Sequence, residues 1–225
     1  MLIVAVSVAA VLATVAGANA APPANPIPSM VVRVATDSDV PPALVVALLG
    51  EADAIWRGTG IQFFWEREPG EREPPAPVRV PSPFGSPTLQ VIIGQERHAI
   101  ARGSREFPLG WIVFDDATTP QREIYLSYTN AIALLESSSS VVGLVQSMPP
   151  LQREILLARA MGRALAHELG HYLSASKAHA DRGLMKAVHS ASELFGLGRT
   201  LFQLTPEERQ RMVARFASVL MASRD

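Results

Sequence analysis

The chain has 225 residues, with 20 basic against 21 acidic side chains, 48% hydrophobic residues and no cysteine. A charge balance this close to zero gives no electrostatic footprint for nucleic acid. The missing cysteine excludes disulfides, a sulfur-ligated metal site, a lipoprotein anchor and a thiol-based latency switch.

Residues 1–20 carry no charged side chain, and Leu2 to Val15 is a nearly unbroken apolar run. Ala18-Asn19-Ala20 then places small residues at the two positions a signal peptidase reads, which predicts cleavage after Ala20 and a secreted or periplasmic protein. An uncleaved membrane anchor is the alternative, although the run is short for a span that needs ~20 apolar residues. No stable membrane association is expected once the signal is removed. Residues 21–29 hold too many prolines for a regular element and read as an extended leader. The remainder, 30–225, suits one domain with a real core.

Residues 30–35 are β-branched and read as a strand. Asp37-Ser38-Asp39 offers a helix cap before Pro41, and Leu44, Leu48, Ala52 and Ile55 recur at helical spacing until Gly58-Thr59-Gly60 stops them. Residues 61–65 form a second strand, parallel to the first across the helix. Residues 66–88, crowded with proline, glycine and charge, predict a surface insertion within the domain. Further strands are expected at 89–93, 111–114 and 124–128. Asp115-Asp116 reads as a turn, with calcium binding as the alternative.

Ser137-Ser138-Ser139-Ser140 predicts a loop, and Met148-Pro149-Pro150 a proline start for a long helix. Gly162 lies inside that helix despite its cost of ~1 kcal/mol, which predicts close packing there. Leu204-Thr205-Pro206-Glu207-Glu208 is a helix start, and Met212, Phe216, Val219 and Leu220 supply the apolar face of a closing helix.

The long helix carries His167-Glu168-Leu169-Gly170-His171 within an apolar run. Histidines at this spacing project from one face, one turn apart, so both imidazoles reach one metal ion. Glu168 is turned about 100° around the axis, which sets its carboxylate beside that ion, where it can act on a bound water. Burying these groups in apolar company is costly unless they are paired or bound to metal. A catalytic zinc takes a third protein ligand, for which His179, Asp181 and Glu193 are the candidates. His98 and His189 read as surface or packing histidines.

A His-Glu-x-x-His helix, then His179, then Met185 after Gly183-Leu184, resembles the metzincin zinc metallopeptidases of the secreted bacterial and archaeal type. The resemblance covers essentially all of the chain after the leader. Where metzincins place a helix-breaking glycine and their third histidine, this chain has Ser174 and Lys177, so His179 arrives two residues late. The resemblance implies an α+β, zincin-like fold: a mixed twisted sheet of about five strands with an N-terminal, an active-site and a C-terminal helix. It further implies Zn2+ on His167, His171 and His179, Glu168 as general base, Met185 supporting the metal from beneath, and a peptide or protein substrate lying along an edge strand at 111–114. A thermolysin-like, gluzincin-type peptidase with Glu193 as third ligand is one alternative. An inactive binding protein of the same fold is another, and hydrolysis of a non-peptide amide a third.

Overall fold

The computed structural model describes residues 30–67, 89–94 and 108–222. The expected signal and leader, residues 68–88 of the insertion, and His98 lie outside the described residues.

Strand β1 (Met30–Thr36) buries Val32 and Val34 on one face and turns Arg33 outward. Helix α1 (Pro42–Trp56) follows and returns the chain to strand β2 (Phe63–Arg67), which pairs parallel with β1. The helix starts differently from expectation. Pro41, not an acidic residue, occupies the N-cap with no side-chain hydrogen bond, because the segment 37–40 is used for a turn in which Val40 N–H donates to the Asp37 carbonyl at 3.1 Å. Proline at this point needs no N–H partner and its fixed φ suits a helix start. Gly60, at φ 83°, makes the expected stop. Glu66 and Arg67, assigned to the insertion by composition, belong to β2, where Glu66 lies opposite Arg33 on the solvent face.

Strand β3 (Leu89–Gly94) pairs parallel with β1, and β5 (Pro120–Ser127) pairs parallel with β3. Strand β4 (Gly110–Phe114) pairs antiparallel with β5. The sheet is therefore mixed and five-stranded, in the order β2-β1-β3-β5-β4, with β4 at one edge. Asp115 and Asp116 make the β4–β5 turn, where Asp116 Oδ1 accepts from the Thr118 and Thr119 N–H groups at 2.7 and 2.8 Å.

Composition misjudged the next stretch. Helices α2 (Tyr128–Ser137) and α3 (Ser139–Val142) run through the four serines expected to form a loop. Ser137 and Ser138 direct their hydroxyls back to the Leu134 carbonyl at 2.9 and 2.7 Å, so each polar group is satisfied within the helix end.

Helix α4 (Pro150–Ser174) has Pro149 as N-cap. It packs against α1, β4 and β5, and its buried face includes Met161, Leu165, Ala166 and Leu169. Gly162 is the contact with α1: a β-carbon there would stand 2.6 Å from the Leu48 carbonyl oxygen and 2.6 Å from Glu51 Cβ. Trp56 Nε1 donates to the Ala166 carbonyl at 3.2 Å and pins the end of α1 beside His167 and Glu168.

Short helix α5 (Ala191–Phe195) has a complete capping box between Ser190 and Glu193. Helix α6 (Pro206–Ala222) closes the described chain with a reciprocal cap, Thr205 N–H donating to Glu208 Oε2 at 2.7 Å and Glu208 N–H to Thr205 Oγ1 at 3.3 Å. Met212 is buried, as its place on the expected apolar face requires. No helix among the described residues is long and apolar enough to cross a membrane.

Candidate metal centre

Helix α4 presents His167 and His171 one turn apart, with ring centroids 4.6 Å from one another. The chain leaves the helix through Ala175, whose φ of 46° makes it the one non-glycine residue with positive φ among those described. A helix commonly ends on a left-handed residue, and glycine adopts that conformation most cheaply. The break expected of a glycine is thus made one residue after Ser174, by alanine. The loop that follows returns His179 to the two helical histidines.

The three Nε2 atoms converge. His171 Nε2 lies 3.0 Å from His167 Nε2 and 3.3 Å from His179 Nε2, and one ligand atom from each ring falls within 4.8 Å of the others. Three nitrogens bound to one tetrahedral zinc stand ~3.4 Å apart, so the spacing fits a shared ion. Among the described residues no other such cluster of metal-binding side chains occurs. Backbone carbonyls aim two of the rings. His167 Nδ1 is 2.8 Å from the Leu184 oxygen and His171 Nδ1 is 2.7 Å from the Ser176 oxygen, which leaves each Nε2 lone pair facing the common point.

Burial pushes the His167 pKa down to about 4, the Leu184 carbonyl offsetting only part of it, and burial lowers His171 too. Both imidazoles are therefore neutral near pH 7, the form a metal requires. Glu168 is buried on the β4 side of the helix. Desolvation raises its carboxyl to about 8, against the opposing effect of the Ile112 backbone N–H. Gly110 makes this approach possible, since a β-carbon there would stand 3.2 Å from Glu168 Cγ. A cation at the histidines would return the carboxyl to its ionised form.

Met185 lies under the helix against Gly170 and is 4% exposed. Its carbonyl accepts from Ala180 N–H at 2.8 Å, which ties the loop after His179 to the turn around Met185. Asp181 is exposed and Glu193 is engaged elsewhere; neither joins the cluster. The Glu193 carboxylate accepts from Lys186 Nζ at 2.9 and 3.1 Å and from Ser190 N–H at 2.7 Å, and the lysine holds it down to about 2. His189 packs on Phe202, centroids 4.6 Å apart, as a packing histidine does.

A cavity of about 950 Å³ opens over the triad, bounded by strand β4 on one side and residues 186–189 on the other. Lys177 stands over the Phe114 ring at 5.2 Å, joining the loop of His179 to the edge strand. The wall at 186–202 is held by a residue that sequence reasoning passed over. Arg163, with a side chain 0% exposed, bonds Glu51 Oε1 at 3.0 Å and donates to the carbonyls of Glu193, Leu194 and Gly198. Arg199 reaches the other Glu51 oxygen at 2.6 Å. The signal was available: Arg163 lies one turn before His167, on the same buried helix face.

No protein-family model matches the sequence, and no curated protein matches it. Among solved structures the chain is similar to archaemetzincin from Methanopyrus kandleri, at 16% identity over 84% of this chain and 96% of that one, with a TM-score of 0.45. A likeness this slight leaves the function to be read from the residues.

Proposed function

We propose that this chain is an exported, zinc-dependent endopeptidase. The observation that carries the reading is the convergence of three histidine Nε2 atoms beside Glu168, at the floor of a cleft bounded by an edge strand. Export rests on the uncharged, apolar residues 1–20 and on Ala18-Asn19-Ala20.

Zinc bound there would polarise a scissile carbonyl and bring the pKa of water toward ~7. The remaining work belongs to the chain's own groups. His167, His171 and His179 would hold the ion through Nε2, two of them oriented by the carbonyls of Leu184 and Ser176. Glu168 takes a proton from the attacking water and passes it to the leaving amine. Its burial excludes bulk water from that transfer. A peptide lying extended against β4 would use main-chain hydrogen bonds of the edge strand, which fix its direction without dictating its side chains. Met185 packs beneath the ligand-bearing helix.

The test is zinc content per chain and cleavage of a peptide library by the purified protein, for the native sequence and for Glu168→Gln, His179→Ala and Glu193→Ala. The reading expects one zinc, retained in Glu168→Gln with cleavage reduced at least ~100-fold, the scale of a lost general base. It expects zinc to be lost from His179→Ala and kept in Glu193→Ala. No zinc in the native protein would overturn it, as would undiminished cleavage by Glu168→Gln.

A further inference from the structure

Two ligand histidines are aimed by backbone carbonyls, and the third is not. His179 turns Nε2 toward His171 at 3.3 Å, so its Nδ1 lies on the far side of the ring, and no hydrogen bond from another described residue reaches that nitrogen. Metal-bound histidines are held by a partner at the second nitrogen, which fixes tautomer and ring orientation.

His179 also lines a small cavity with room for about 20 Å³ of water, together with Ser176, Met185, Arg211 and, from the first turn of α6, Glu208. Glu208 is 4% exposed. Its Oε2 accepts the Thr205 N–H of the helix cap, whereas Oε1 is buried with no hydrogen-bond partner among the described residues. An unsatisfied buried carboxylate oxygen is costly, and such groups usually bond through ordered water. The volume suits one water molecule, and polar groups stand on its walls.

We propose that Glu208 is the positioning residue for His179, accepting a hydrogen bond at Oε1 that originates at His179 Nδ1–H and passes through one water. The proposal rests on the zinc-site reading above. It gives the third ligand a carboxylate partner where the other two have carbonyls. It also couples the cap of α6 to the metal centre, because one carboxylate serves both through different oxygens. Without it, His179, on an exposed loop, would have no group to hold its ring.

The sharp variant is Glu208→Gln. The amide oxygen can still accept from Thr205 N–H, while the NH2 group in place of Oε1 cannot accept the hydrogen that the bridging water donates. Zinc affinity would be measured by competition with a chromogenic chelator, beside the thermal midpoint of the metal-free protein. The expected result is a loss of about 10–100-fold in zinc affinity, the range for lost partners of ligand histidines, with the metal-free midpoint unchanged. Thr205→Ala, which damages only the cap, should lower the midpoint and leave zinc affinity within about twofold. Native zinc affinity in Glu208→Gln would overturn the proposal and assign Oε1 to another partner, such as nearby Arg211. Should Glu208→Gln fail to fold, the native zinc-loaded protein answers by NMR: a slowly exchanging His179 Nδ1 proton supports the proposal, and one exchanging at the rate of free imidazole overturns it. A native protein that binds no zinc would instead remove the underlying site reading.

Discussion

Gly170 and Met185 are packed so closely that a β-carbon on Gly170 would stand 3.1 Å from Met185 Cε and nearer still to its sulfur. The glycine within the histidine motif is thus fixed by the turn that passes beneath it. Gly170→Ala must displace Met185, a flexible side chain that can slide at a cost of about 1–2 kcal/mol. Because Met185 also borders the cavity beside His179, zinc affinity should fall with stability. Gly162→Ala meets the Leu48 carbonyl, backbone that cannot slide, and should cost more, ~3 kcal/mol. Thermal denaturation of both variants checks the order; a larger loss for Gly170→Ala would show that Met185 cannot move.

Ala175 should be improvable. A non-glycine residue in the left-handed region costs roughly 1–2 kcal/mol, and this one caps α4 with its N–H on the Tyr172 carbonyl at 3.2 Å. Ala175→Gly removes the strain and enlarges the entropy of the unfolded chain, leaving a net gain of about 0.5–1 kcal/mol. Urea denaturation would register it as a higher midpoint with unchanged slope.

The metal-free protein should lose stability as pH rises above neutrality. Glu168 titrates at about 8 in the folded chain against an ordinary 4.5, so between those values the folded state holds a proton the unfolded state has released, and stability falls with rising pH. His167 acts oppositely. Its folded value of about 4 against 6.5 makes stability fall as pH drops through that interval. The two effects oppose each other between about 4.5 and 6.5, which leaves a net decline from 6.5 to 8. A chelator-treated sample should show a lower thermal midpoint at pH 8 than at 6.5, and Glu168→Gln should abolish the difference. Zinc should abolish it too, since a dication beside the carboxyl favours the ionised form.

The site was more legible in sequence than its supports were. His167, Glu168 and His171 share a short helical period, so geometry follows from spacing alone, and β-branched runs gave the strands to within a few residues. His179 needed a loop path that no local rule supplies, because its helix ends on an alanine where a glycine is the usual signal. Helix α2 and the serines after it were hidden by composition, since serine bonded to a helix carbonyl is indistinguishable in sequence from serine in a loop. Glu208 read as an ordinary capping acid. Its second oxygen can be read only in the fold, where Glu208 and His179, nearly thirty residues apart, line one small cavity.

The hub at Arg163 should be the most sensitive position outside the three clustered histidines. Its guanidinium spans the Glu51 carboxylate and three carbonyls of the segment after the methionine turn, and its plane lies over the Phe202 ring at 4.6 Å. A lysine ammonium is a point charge that cannot hold that fork. Arg163→Lys should therefore leave some carbonyls unpaired and cost about 2–3 kcal/mol, whereas Arg163→Ala also leaves the buried Glu51 dependent on Arg199 alone and should cost about 3–5 kcal/mol. The segment Arg163 holds is the cleft wall opposite β4, so Arg163→Lys should raise KM for peptides while zinc content stays at the native level. Stability and zinc content measured together separate the outcomes: a folded Arg163→Lys protein with native stability and native KM would show that the wall is held by other contacts.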